Sequence, residues 1–146
     1  MTDSELFQLA AFAETAGGGN PAGVWIGARH PAPAEMQRLA AELGHSETAF
    51  VAPASGAQRT VRYFAPQSEV PFCGHATIAT GVALGRSSGP GAYVFETKAG
   101  EVQVDVEQVD AQWRAAFRSV ATGHASIPDR GLSAALAALR WSKDDL

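Results

Sequence analysis

Residues 92–107, AYVFETKAGEVQVDVE, alternate apolar and polar side chains on both sides of a short turn. Tyr93, Phe95 and Thr97 alternate with Val94 and Glu96, KAGE turns the chain, and Val102, Val104 and Val106 continue the period of two. A period of two places every second side chain on the same face of a strand, so this stretch is a hairpin with one apolar face. It must be covered by something, and the rest of the chain has to supply both further strands and the cover.

Strand composition recurs at 6–12 (LFQLAAF), 24–27 (VWIG), 45–53 (HSETAFVAP), 59–66 (RTVRYFAP) and 113–119 (WRAAFRS). Between them lie helical patterns. In HPAPAEMQRLAAELG, Met36, Leu39, Ala40 and Leu43 fall at i, i+3, i+4 and i+7, and Gly44 is placed to stop the helix. From Gly74, GHATIATGVALG reads as a short helix of small residues that packs through Ile78, Val82 and Leu84 and ends at Gly85. Gly81 costs that helix about 1 kcal/mol against alanine, so its smallness points to a close approach there. LSAALAALRW (132–141) is a last helix. Strands mixed with a few helices, without repeats or low-complexity linkers, predict an α+β fold and not a doubly wound sheet.

The chain has 146 residues, 46% of them hydrophobic and 18% charged, enough for one domain with a core. A net charge of −4 and no Lys/Arg run argue against nucleic acid or a membrane surface as partner. One cysteine makes no internal disulfide. MTDSELFQLAAF has no basic leader followed by an apolar core, and no stretch approaches the roughly 20 apolar residues of a membrane span. A cytoplasmic location is expected. His30, His45, His75, His124 and Cys73 show neither CxxC nor HExxH spacing, so no metal is expected. The loop GGGNPAG lacks the GK[ST] ending of a phosphate-binding loop and the GxGxxG of a dinucleotide fold, so it reads as a tight, irregular turn with an Asn-Pro step.

Two residues could do chemistry. Cys73 stands at or just before the first turn of the helix that opens with Gly74. Unpaired N–H groups and the helix dipole favour an anion there, so the thiol could be activated, or the same N–H groups could hold a substrate carboxylate. Cysteine is equally at home as a buried gap-filler. Glu47, in SETAF, has apolar Ala49 and Phe50 after it and the hydroxyls of Ser46 and Thr48 beside it. Such a carboxylate can be brought towards the range of a general base, or can be a solvated residue at a helix–strand junction.

The order of the motifs decides between these readings. GNPAGV, SETAFV, YFAPQSEV, CGHAT and FETKAG follow one another from about Phe7 to Gly100. This series resembles the N-terminal half of the PhzF-like isomerases, the phenazine-biosynthesis group within the diaminopimelate epimerase and proline racemase superfamily. The resemblance thins beyond residue 105, although LSAALAALRWSKDDL resembles the helix leading to the family's domain linker.

What it implies is a curved mixed sheet wrapped round a central helix, one of two such domains, with the active site in the cleft between them. Residues 1–146 would be the first domain, with 128–146 leading to a second that the sequence does not contain. The DPVTGSA-like stretch usual in that second domain is absent with it. By the resemblance, Glu47 is the acid–base residue that moves a proton between carbons of a small anionic substrate. Asn20, Gly74 and His75 line the pocket, the last two through their backbone N–H groups, and no cofactor is required. The related racemases use two thiols, one from each domain, so Cys73 is a second catalytic candidate, here taken as a cleft residue beside Glu47.

Three readings follow from that resemblance. The chain is one half of an isomerase, inactive alone and completed by a second domain or chain. Alternatively, a homodimer completes the cleft, or the domain binds or assembles without catalysis.

Overall fold

The computed structural model describes residues 4–15 and 17–146. Met1–Asp3 and Ala16, which fall within the leader and glycine-loop readings, lie outside the described residues.

The elements run β1 (Ser4–Ala11), β2 (Asn20–Gly27), α1 (Pro33–Leu43), β3 (Thr48–Pro53), β4 (Gln58–Phe64), β5 (Glu69–Val70), α2 (Gly74–Ser88), β6 (Gly91–Thr97), β7 (Gly100–Val109), β8 (Gln112–Arg118) and α3 (Asp129–Leu139). One sheet takes the order β1-β2-β3-β4-β6-β7-β8, with β5 paired to β4. The β2–β3 and β4–β6 pairs are parallel and the others antiparallel. The parallel pairs arise where α1 and α2 carry the chain back across the sheet, as parallel strands require.

The helix α2 touches β1 and β2 at one end of this order and β7 and β8 at the other. A sheet can meet one helix with both of its ends only by curling round it. The expected α+β architecture, a curved mixed sheet about a central helix, is what the chain adopts. The 92–107 hairpin supplies its inward face through Tyr93, Phe95, Val102, Val104 and Val106.

Enclosure explains the composition of α2. Ala76, Thr77, Ala79, Thr80, Gly81, Ala83, Leu84 and Gly85 are buried, so the helix is covered almost all round, whereas Ile78 and Val82, expected as its packing residues, are only half-buried. The sheet comes too close for larger side chains. A Cβ built at Gly81 would stand 2.6 Å from the Ala115 Cβ, and one at Gly85 would stand 2.4 Å from Trp113 Cε3. The buried threonines stay satisfied by donating to their own helix, Thr77 Oγ1 to the Cys73 carbonyl at 2.8 Å and Thr80 Oγ1 to that of Ala76 at 2.7 Å.

Outside the curl, α1 packs Met36 and Ala40 on Phe50 and Phe64 of β3 and β4. Pro33 begins α1, and Gly44 ends it at φ 68°, the left-handed conformation expected of a C-terminal glycine. By contrast α3 buries only Leu136, and Ile127, Leu139 and Trp141 around it are exposed.

Three local expectations are corrected. Phe12 does not close the first strand: it follows β1 at φ 60° with its ring exposed. Asn20–Gly23 is not an irregular turn but the start of β2, with Pro21 opposite Ala10. Proline is tolerated because β2 pairs with β3 only from Gly23 onwards, so no ladder partner needs the missing N–H. Finally, α2 runs past Gly85 to Ser88 and stops at Gly89, because Gly85 serves packing against Trp113 and not termination.

Candidate active site

Glu47 ends the turn after α1 and immediately precedes β3. Its carbonyl accepts the Gly23 N–H at 3.2 Å, which ties the turn to β2. Cys73 is the residue before α2, with extended backbone (φ −146°, ψ 118°). Phe72 anchors this entry, stacking edge-on against Tyr63 at 5.9 Å and against Phe117 at 5.6 Å between ring centres. Beneath it, the buried Tyr63 hydroxyl lies 2.7 Å from Thr77 Oγ1. Because Thr77 donates to the Cys73 carbonyl, Tyr63 is the donor in that pair, and the chain of bonds fixes the start of α2 from inside the core.

The curl brings the two segments together. His75 presents Nε2 to Glu47 Oε2 at 3.5 Å and to Ser46 Oγ at 3.2 Å, and Nδ1 to Cys73 Sγ at 3.2 Å. One side-chain atom from each of Glu47, Cys73 and His75 lies within 4.8 Å of those of the other two. The Glu47 and His75 side chains are 21% and 11% exposed, so the cluster is largely desolvated yet reachable. Burial, reinforced by the Glu47 carboxylate, pushes the Cys73 thiol up to about 11, against the pull of the Ala76 and His75 backbone N–H groups. The helix N-terminus therefore does not activate this cysteine, as its position in the sequence allowed; desolvation and the neighbouring carboxylate outweigh it. A protonated thiol can donate to Nδ1 of His75, which leaves the ring proton on Nε2, facing Ser46 and Glu47.

Gly74 opens α2, and a Cβ there would meet the Phe117 ring at 3.6 Å from Cζ and 3.9 Å from Cε1, ordinary contacts, so packing does not demand glycine at this position. Asn20 heads β2, exposed, at the end of the sheet where Glu47 enters β3. Among the described residues its side chain makes no hydrogen bond to Glu47, Cys73 or His75. Tyr63 carries no signal in the sequence, and Ser46 enters there only as a hydroxyl neighbour of Glu47. Ser46 is adjacent to Glu47 in SETAF, but nothing local shows that it meets His75 at the start of α2.

A curled mixed sheet round a helix is a fold that this chain shares with proteins described as racemases and epimerases. A probable proline racemase from Agrobacterium radiobacter K84 shares the fold at a TM-score of 0.55, with 17% identity over 73% of this chain and 38% of that one. The chain belongs to the family of phenazine biosynthesis-like proteins, whose family model matches residues 9–141. It is 33% identical over 145 residues to the uncharacterized isomerase YddE of Escherichia coli (strain K12), covering 97% of this chain and 49% of YddE. The crystal structure of a PhzF-family phenazine biosynthesis protein from Enterococcus faecalis matches with a TM-score of 0.66 and 34% identity, over 72% of this chain and 40% of that one. The chain thus spans half or less of the proteins it matches. Among the described residues, no helix is long and apolar enough to cross a membrane.

Proposed function

We propose that this domain supplies the proton-moving half of a cofactor-independent isomerase site, acting on a small anionic, carboxylate-type substrate. The observation that carries this reading is the convergence of Glu47, Cys73 and His75 at the N-terminus of the enclosed helix. In this reading Glu47 takes a proton from one carbon of the substrate and returns it to another. A desolvated carboxylate within reach of an imidazole is suited to that work. His75 orients Glu47 through Nε2, and Cys73, held protonated, is a proton donor and not the resting base.

The first N–H groups of α2 have no intrahelical partner, so that of Gly74, with that of His75 shared with the Cys73 sulfur, can hold the substrate's anionic group. Asn20 closes the pocket from the end of β2. The opposite wall comes from a second domain or chain, or from a second copy in a homodimer. Residues 128–146, with α3 nearly unpacked and Ile127, Leu139 and Trp141 exposed, lead towards that second half.

The test is incorporation of solvent deuterium into small carboxylates, by the chain alone and together with a second-domain polypeptide. Exchange should appear only in the completed site and fall by a factor of about 10²–10⁴ in Glu47→Gln. Cys73→Ser should lower it much less. Equal exchange by parent and Glu47→Gln would remove Glu47 from the chemistry.

A further inference from the structure

The donor set at the start of α2 is a thiol sulfur, an imidazole nitrogen and a carboxylate oxygen, mutually within 4.8 Å. These are the three ligand types that zinc takes, and three protein ligands with one open position is its usual exchangeable arrangement. Hard cations such as Mg²⁺ prefer several oxygens, and this cluster offers one carboxylate.

The cluster also has an outer support of the kind that ligating histidines keep. With Nδ1 turned to Cys73 Sγ at 3.2 Å, a metal taken on the sulfur side leaves Nε2 hydrogen-bonded to Ser46 Oγ at 3.2 Å, and the Glu47 carboxylate, whose Oε2 lies 3.5 Å from Nε2, turns to the metal. The backbone under two of the three ligands is held as well. The Cys73 carbonyl is bound by Thr77, and the Glu47 carbonyl by Gly23. The spacing of histidines and cysteine along the chain carries no sign of such a set, because Glu47 arrives from a different element.

We propose that Glu47, Cys73 and His75 bind one soft divalent cation of the Zn²⁺ type, and that the bound cation blocks substrate turnover by occupying the Glu47 carboxylate. Binding breaks the Cys73 S–H bond, forms a sulfur–metal bond and passes the proton to the buffer; nothing is oxidised or reduced. Only the blocking rests on the proposed role of Glu47, because the coordination needs no substrate.

The experiment titrates the folded, reduced chain with Co²⁺ as a spectroscopic probe and then with Zn²⁺. One equivalent of Co²⁺ should give a thiolate-to-cobalt absorption band that Zn²⁺ displaces. Cys73→Ser should abolish the band, and His75→Ala and Glu47→Gln should each weaken binding by about tenfold or more. With the parent chain alone, so that no variant need fold, Zn²⁺ should protect Cys73 from iodoacetamide by about tenfold or more, and Mg²⁺ should not. Alkylation indifferent to Zn²⁺, a band that survives in Cys73→Ser, or unchanged affinity in both other variants would overturn the site. If the metal binds and the completed enzyme still exchanges deuterium at full rate, the blocking is wrong. If the metal binds and no exchange is ever found, the isomerase reading falls and the metal site stands.

Discussion

Gly81→Ala sets two well-separated effects against each other in the middle of α2. In an open helix the change should stabilise the protein by about 1 kcal/mol, the propensity difference between glycine and alanine. Here the new Cβ would stand 2.6 Å from the Ala115 Cβ, 3.1 Å from Val104 Cγ1 and 3.4 Å from Val106 Cγ2. Carbon atoms rest at about 3.5–4.0 Å, so the helix or β8 must move by about 1 Å. The Ala115 contact is a methyl on the strand's own backbone, with no rotamer to swing away.

Overpacking of this kind costs about 1–3 kcal/mol. The net expectation is a loss of about 1 kcal/mol, which lowers the melting temperature of a domain this size by about 3–4 °C. Thermal and urea unfolding followed by far-ultraviolet circular dichroism would measure it. Ala115→Gly in the same chain removes the nearest atom, so the double variant should lose less than the sum of the two single ones. A Gly81→Ala protein about 1 kcal/mol more stable than its parent would refute the close approach, and with it the tight curl of the sheet.

Other consequences are local and separable. Because the Cys73 thiol ionises at about 11, its alkylation should quicken about tenfold per pH unit from neutrality upwards, and a plateau between pH 8 and 9 would contradict its burial beside Glu47. The Arg62 guanidinium, with Lys98, holds the Glu69 carboxyl down from 4.5 to about 2. A depressed carboxylate contributes stability that is complete above its unfolded value and lost as pH falls from 4.5 towards 2. Acid melts of Glu69→Gln should therefore be flatter than the parent's through that window, and parallel curves would show that the ion pairs contribute nothing. Tyr63→Phe removes the donor to Thr77 and should cost about 1 kcal/mol in urea unfolding. No loss there would mean that the hydroxyl pair does not brace the start of α2.

Several elements were legible because their signals are local. The 92–107 hairpin is written in a strict period of two, and α1 in an i, i+3, i+4, i+7 stripe closed by Gly44. The motif order from GNPAGV to FETKAG led to the family, and the family profile matches residues 9–141. The misread places are those where a long-range contact overrides a local habit. Gly85 has the look of a helix stop, but its missing side chain makes room for Trp113 of β8. Asn20-Pro21 looks like a turn and pairs as a strand, because the edge it presents has no partner to disappoint.

By itself, then, the sequence determined most of the strands and helices, because backbone periodicity and capping act over a few residues. It also set Cys73 and His75 at the head of one helix, though their contact depends on the extended backbone of Cys73 before it. Only the tertiary structure decided the state of the thiol and the company it keeps. Glu47 reaches Cys73 and His75 because the sheet curls round α2, and their desolvation is a property of that enclosure. Burial and the facing carboxylate then reversed the effect of the helix N-terminus on Cys73. No window of residues along the chain contains those distances, and electrostatic energies depend on distance and burial before they depend on residue type.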